Sequence, residues 1–285
     1  MLESSLLERT RGDCGDSWTQ VEEAVAAGRS VVSFNPRMDY FHRLAGRMNQ
    51  QEYQVLMLNA SYSKMAVQPV ALVNWNPIVE IRNNVEMDVF VNGIVKDSRI
   101  EFNLLTGLES MLLKSLIHIV KSGTFPQKIN TLLCLLNLAR EKIVSIFEDL
   151  YEEGKFSCEE TVILKQWLTS LPISDIDRAS ENLITKLNRL NKYESLNALD
   201  QLIDFTSLGV RKTAVFVQTP AILDYCSKKV LSLMTSFLLR RLYEKAEEMG
   251  GKLPVGVSIF REDAEYHIEK IPEAPGIVDL KRSLA

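Results

Sequence analysis

The sequence predicts an α+β protein, mainly helical, with a sheet-rich N-terminal part and an antiparallel helical bundle. Three observations lead there. Residues 29–103 carry runs rich in Val, Ile and aromatic residues; residues 104–208 place apolar residues at three- and four-residue spacing; and further strand-like runs flank a long C-terminal helix. The late strands are expected to join or pack on the early sheet. The expected division is 1–103 for the sheet-rich region and 104–285 for the bundle, the late strands and a long helix at 220–249.

A Ser or Thr followed three residues later by Glu or Gln can satisfy the orphan N–H groups of a helix start reciprocally. Four such pairs occur: Ser17 with Gln20, Thr106 with Glu109, Thr124 with Gln127, and Ser157 with Glu160. Gly28, Gly123 and Gly154 supply stops, because glycine adopts a left-handed backbone without a Cβ penalty.

The first helix is expected at 17–27. The runs "RSVVSF", "YQVLML", "AVQPVALVNW" and "PIVEI" then read as strands. In "VEMDVFVNGIVKDSRIEF", Val85, Met87 and Val89 alternate with Glu86 and Asp88, and Asn92-Gly93 suits a tight turn, which predicts a hairpin of strands 85–91 and 94–102. Helical periodicity follows over 106–122, 125–153, 157–170, 174–192 and 195–206, with short connections and no repeated signature. "KTAVFVQ" is the next strand. Thr219 and Pro220 open the long helix, Gly250-Gly251 closes it, and "VGVSIF" and "AEYHIEKI" are the last strands.

The chain has 285 residues, 46% hydrophobic and 25% charged, which is enough to bury one large core or two modest ones. Its net charge of −4 argues against a surface that attracts phosphate everywhere. No window approaches the roughly 20 apolar residues of a membrane-spanning helix, and the N-terminus lacks the pattern of a secretory signal. A cytoplasmic location is therefore expected. Cys14, Cys134, Cys158 and Cys226 are scattered without a paired spacing, so no metal site and no disulfide framework is expected, and Cys134 and Cys226 read as buried hydrophobes.

Chemistry-bearing motifs are sparse. Arg11-Gly12-Asp13 and Asn59-Ala60-Ser61 match short motifs that need an extracellular setting. His118 lies in an apolar helix, His267 on a strand, and His42 with Asp39 forms the one acid–base pair worth weighing. Asp175 and Asp177, like Glu159 and Glu160, suit helix N-termini better than a metal. Phosphate-loop, dinucleotide, nucleophile-elbow and kinase signatures are all absent. No catalytic residue, cofactor or metal ligand is assigned, and no motif carries a family resemblance.

"KKVLSLMTSFLLRR" spans Lys228 to Arg241. On a helical wheel, Lys229, Ser232, Ser236 and Arg240 form a thin polar stripe opposite a broad apolar arc, and are expected to face a partner or an anionic ligand. Arg241 points towards the apolar arc, with its stem reaching out to solvent or a carboxylate. The function expected is a non-enzymatic interaction or structural protein of the scaffold, adaptor or viral accessory kind, able to self-associate. Two alternatives are a nucleic-acid-binding protein with a basic patch of Arg211, Lys212, Lys228 and Arg241 beside Lys229 and Arg240, and an enzyme lacking a common motif.

Overall fold

A computed structural model describes residues 17–35, 45–48, 50–60, 71–96, 104–123, 125–155, 169–170, 172–219, 225–261 and 264–270. The chain forms two compact units. The sheet unit comprises 1–73, 203–223 and 235–285, and the helical unit 74–202 and 224–234.

Among the described residues of the sheet unit, six strands run β1 (Ser30–Asn35), β2 (Gln54–Asn59), β3 (Ala71–Val73), β4 (Thr213–Gln218), β5 (Lys252–Arg261) and β6 (Ala264–Lys270). They lie side by side in the order β3-β2-β4-β1-β5-β6. The first five are parallel, and only β6 is antiparallel, as a hairpin partner of β5 at the edge. Helices lie on both sides. This corrects the expected α+β arrangement of an N-terminal sheet beside an antiparallel bundle. The late strands lie in one sheet with the early ones: β4 inserts between β2 and β1, and β5 takes the other side of β1.

The reason is visible in the strand sequences. "SVVSFN", "QVLMLN" and "TAVFVQ" are near-continuous apolar runs, as strands covered on both faces require. Val31, Val55, Met57, Ala214, Phe216 and Phe260 face one way and form a core with Val21, Ala24 and Val25 of α1 (Ser17–Ala26), Met48 and Tyr53. Their alternates Val32, Leu56, Leu58, Val215, Val217 and Ile259 are buried as well. Burying each such side chain contributes about 1.5–3 kcal/mol. Tyr53 fastens α1 to this core through its hydroxyl, which lies 3.2 Å from the Val25 carbonyl and 2.9 Å from that of Arg29. Gly28 ends α1 with φ +72°.

The helical unit contains α2 (Pro77–Glu80), α3 (Asn84–Val95), α4 (Leu104–Ser122), α5 (Ile129–Leu136), α6 (Arg140–Glu152) and α7 (Ile173–Asn191). The long helix α8 (Tyr225–Glu248) begins in this unit and ends in the sheet unit. The stretch read as a hairpin is the helix α3. Its alternating residues competed with a second pattern, Met87, Phe90, Val91, Ile94 and Val95 at helical spacing, and that set is the buried one, whereas Val85 is half exposed. Gly93 makes no turn. A Cβ there would sit 2.5 Å from Leu233 Cδ2, so the glycine permits close approach of α8.

Capping follows the same physics with different residues. Thr106 lies inside α4, and its expected partner Glu109 accepts bonds from Asn182 and Lys186 of α7 instead. A reciprocal pair does open α3: Asn83 Oδ1 accepts from Glu86 N, and Glu86 Oε2 accepts from Arg82 N. Asparagine caps as well as serine does, so a search limited to Ser and Thr overlooks it. The single helix expected at 125–153 breaks around Asn137, whose Nδ2 takes the Leu133 carbonyl at 2.7 Å. The helix expected at 195–206 is two 3-10 turns, Glu194–Asn197 and Phe205–Gly209. Most of 157–170 and residues 97–103 and 220–224 lie outside the described residues.

Candidate ligand-binding edge of the sheet

Parallel strands bring all their carboxyl ends to one edge, and ligands of such sheets bind where neighbouring strands send their connections in opposite directions. From β1 the chain leaves towards β2 and β3; from the adjacent β4 it leaves, through α8, towards β5 on the other side. The switch point therefore lies between β1 and β4. Right-handed crossovers send those two connections to opposite faces of the sheet.

The residues that end these strands are polar and uncharged. Asn35 of β1 and Asn59 of β2 are both register partners of Gln218 in β4, so three amide residues share one row across the sheet. Thr219 follows directly. The backbone here is spent, since the Gln218 carbonyl accepts from Ala60 N at 2.9 Å. The side chains are not: Gln218 Oε1 and Thr219 Oγ1 are both buried without a hydrogen-bond partner, and Thr219 is 2% exposed. A buried orphan of this kind costs about 1–3 kcal/mol, so two of them adjacent at a switch point call for an explanation. Sequence reading gave Asn59 to a short acceptor motif and Thr219 to a helix start, and passed over Asn35 and Gln218, because single amides carry no ligand motif; only strand order sets the three amides in a row.

In the helical unit Lys186, Lys229 and Lys121 are bonded to backbone carbonyls. Lys186 Nζ donates to the Val95 carbonyl and pairs with Glu109, and Lys229 Nζ donates to the carbonyls of Ile94 and Lys96, each at 3.1 Å. Between them they cap the C-terminus of α3, where orphan carbonyls and the negative end of the helix dipole favour positive charge. Lys121 treats α2 alike, bonding the carbonyls of Ile78 and Val79 and the Gln127 side chain. Burial lowers its pKa, an effect opposed by Glu86 and Glu80 and assisted by Arg82. A shallow concavity lined by Ile94, Lys186, Arg189, Tyr225 and Lys229 results, with Lys229 Nζ 4.8 Å from the Tyr225 ring centre.

Of the stripe expected to meet a partner, Lys229 and Ser232 belong to the helical unit, and Ser236 and Arg240 to the sheet unit. Ser232 and Ser236 are half-buried, and Arg240 Nε bonds Glu244 at 3.0 Å. Among the basic-patch residues, Arg241 is 1% exposed and reaches the same Glu244 at 2.8 Å. Arg211 and Lys212 are exposed residues of the sheet unit, Lys212 over the Tyr53 ring, and Lys228 is an exposed residue of the helical unit.

Asp39, His42, the Arg-Gly-Asp tripeptide, Glu159, Glu160, Cys14 and Cys158 lie outside the described residues. His118 is half-buried in α4, His267 stands on β6, and Asp175 is in the first turn of α7, with Asp177 exposed beyond it. Cys134 is exposed and Cys226 buried. Among the described residues no cluster could hold a metal ion, and no helix is long and apolar enough to cross a membrane.

No protein-family model and no curated protein matches this sequence. Among solved structures, the fold is similar to that of the plasmid coupling protein TrwB in complex with the non-hydrolysable ATP analogue ADPNP, with a TM-score of 0.50 and 11% identity. The match covers 84% of this chain and 51% of that one, so the present chain spans about half the length of its solved neighbour. The likeness is one of fold. It overturns the basis of the scaffold, adaptor or viral accessory reading, which rested on a large helical surface, few histidines and no chemistry-bearing constellation: the chain has instead a parallel α/β sheet.

Proposed function

We propose that the sheet unit is a nucleotide-binding module whose ligand sits against the carboxyl ends of β1 and β4. The observation that carries this reading is the pair of unpartnered buried polar atoms, Gln218 Oε1 and Thr219 Oγ1, at the switch point of a parallel sheet. The solved neighbour adds support, being a protein of similar fold that holds an ATP analogue.

The reading is one of binding, not turnover. A phosphate loop needs glycines, so that successive N–H groups converge, and a lysine to meet the β- and γ-phosphates. After β1 the sequence runs Asn35-Pro36-Arg37-Met38-Asp39-Tyr40-Phe41-His42-Arg43-Leu44, with neither glycine nor lysine and with a proline that has no N–H. The Gln218 amide and the Thr219 hydroxyl can orient a ligand by hydrogen bonding, and neither is a general base. The cytoplasmic location expected from the sequence is a compartment rich in such ligands. A protein or nucleic-acid partner is compatible with a fold whose neighbour is a coupling protein.

Equilibrium titration of the full chain with ATP and ADPNP, read by calorimetry, tests the reading. Saturable binding of both with no phosphate release is the expected result. Absence of binding at millimolar nucleotide would end it.

A further inference from the structure

Resting on the nucleotide reading of the same edge, we infer that β1, β2 and β4 take the neutral, donor-bearing part of the ligand, a nucleobase or sugar, and not its phosphates. The orphaned atom of Gln218 is a carbonyl oxygen, an acceptor that only a donor can satisfy. A triphosphate near neutral pH offers acceptors almost exclusively. Exocyclic amino groups, ring N–H groups and ribose hydroxyls all donate. The Thr219 hydroxyl, 2% exposed and equally without a partner, can donate and accept, which matches the mixed edge of a base.

The neighbouring register positions agree. Asn59, Gln218 and Asn35 occupy one register row, and an amide such as that of Gln218 pairs with adjacent donor and acceptor atoms of a base, as Asn and Gln do with adenine. No residue that ends β1, β2 or β4 is charged. The choice between base and phosphate is read directly from what binds.

The test is calorimetric titration of the full chain with the four ribonucleosides, their triphosphates and inorganic triphosphate, with and without Mg2+. At least one nucleoside should bind within about threefold of its own triphosphate, inorganic triphosphate should not compete, and Mg2+ should have no effect. Thr219→Val and Gln218→Leu should each weaken that nucleoside about tenfold, the ratio that 1.4 kcal/mol represents, while unfolding cooperatively like the parent. Binding confined to phosphate-bearing species, or competition by inorganic triphosphate, overturns the inference and leaves the nucleotide reading standing. If no nucleoside or nucleotide binds, both fall.

Discussion

Asn76 in the helical unit and Gln218 in the sheet unit are amides with opposite fates. Asn76 is 1% exposed and fully used: Oδ1 accepts from Ile78 N and Val79 N, while Nδ2 donates to the carbonyls of Gln127 at 2.7 Å and Ala198 at 2.8 Å. It caps α2 and ties it to two distant segments. Gln218 leaves its Oε1 buried and unmet, beside an equally unmet Thr219. A polar group that is completely satisfied is explained by the fold; two left open side by side at a switch point are what the proposed ligand accounts for.

The largest test of that contrast is Asn76→Leu, which strands two amide N–H groups and two carbonyls. It should cost about 3 kcal/mol or more in chemical denaturation. A cost under about 1 kcal/mol would show that water replaces the amide and that satisfaction is no guide here. Next come Lys186→Met and Lys229→Met, each expected to lose about 1 kcal/mol. The two lysines share one helix end, so the double variant should depart from additivity in a mutant cycle. Gly93→Ala combines about 1 kcal/mol of improved helix propensity with about 1–3 kcal/mol of crowding against Leu233. A net loss of about 1 kcal/mol is expected, relieved when Leu233→Ala accompanies it.

In the sheet unit the sign should reverse. Thr219→Val keeps the volume and removes an orphan hydroxyl, so it should raise stability by about 1 kcal/mol in the absence of ligand, as substitutions at binding sites can. A melting temperature lowered by Thr219→Val would mean that the hydroxyl serves the fold. The smallest effects are titrations. Burial raises the phenol pKa of Tyr53 and of Tyr243 above the ordinary 10.0, so the unfolded chain loses those protons first. Their contribution is complete below pH about 10 and declines as pH rises through the native values. Lys121 has the opposite sign, because its lowered native pKa withdraws stability at neutral pH and returns it as pH climbs towards 10.5. Tyr53→Phe should flatten the alkaline limb, and Lys121→Met the rise before it, in pH-dependent thermal melts.

Local signals in the sequence were enough for α4, α7 and the strands β1, β2, β4 and β5, where apolar runs and helical spacing leave little choice. They were not enough for α3. There, alternation and helical spacing coexist in twelve residues, and Asn92-Gly93, a turn signal in isolation, is a packing contact in the fold. The candidate edge was the least legible part. Asn35, Asn59 and Gln218 are ordinary residues up to 183 positions apart, and they become a row only through the strand order.

Composition, periodicity and punctuation by themselves determined where most helices and strands lie, that the described helices lack a membrane span, and that no phosphate-loop signature follows β1. Tertiary structure alone decided that the strands run parallel, that β4 enters between β2 and β1, and that two buried polar side chains end there unmet. The physical reason is range. Helix caps and apolar periods act over a few residues, whereas strand pairing is chosen by which distant faces bury each other, and a binding edge is a product of that choice.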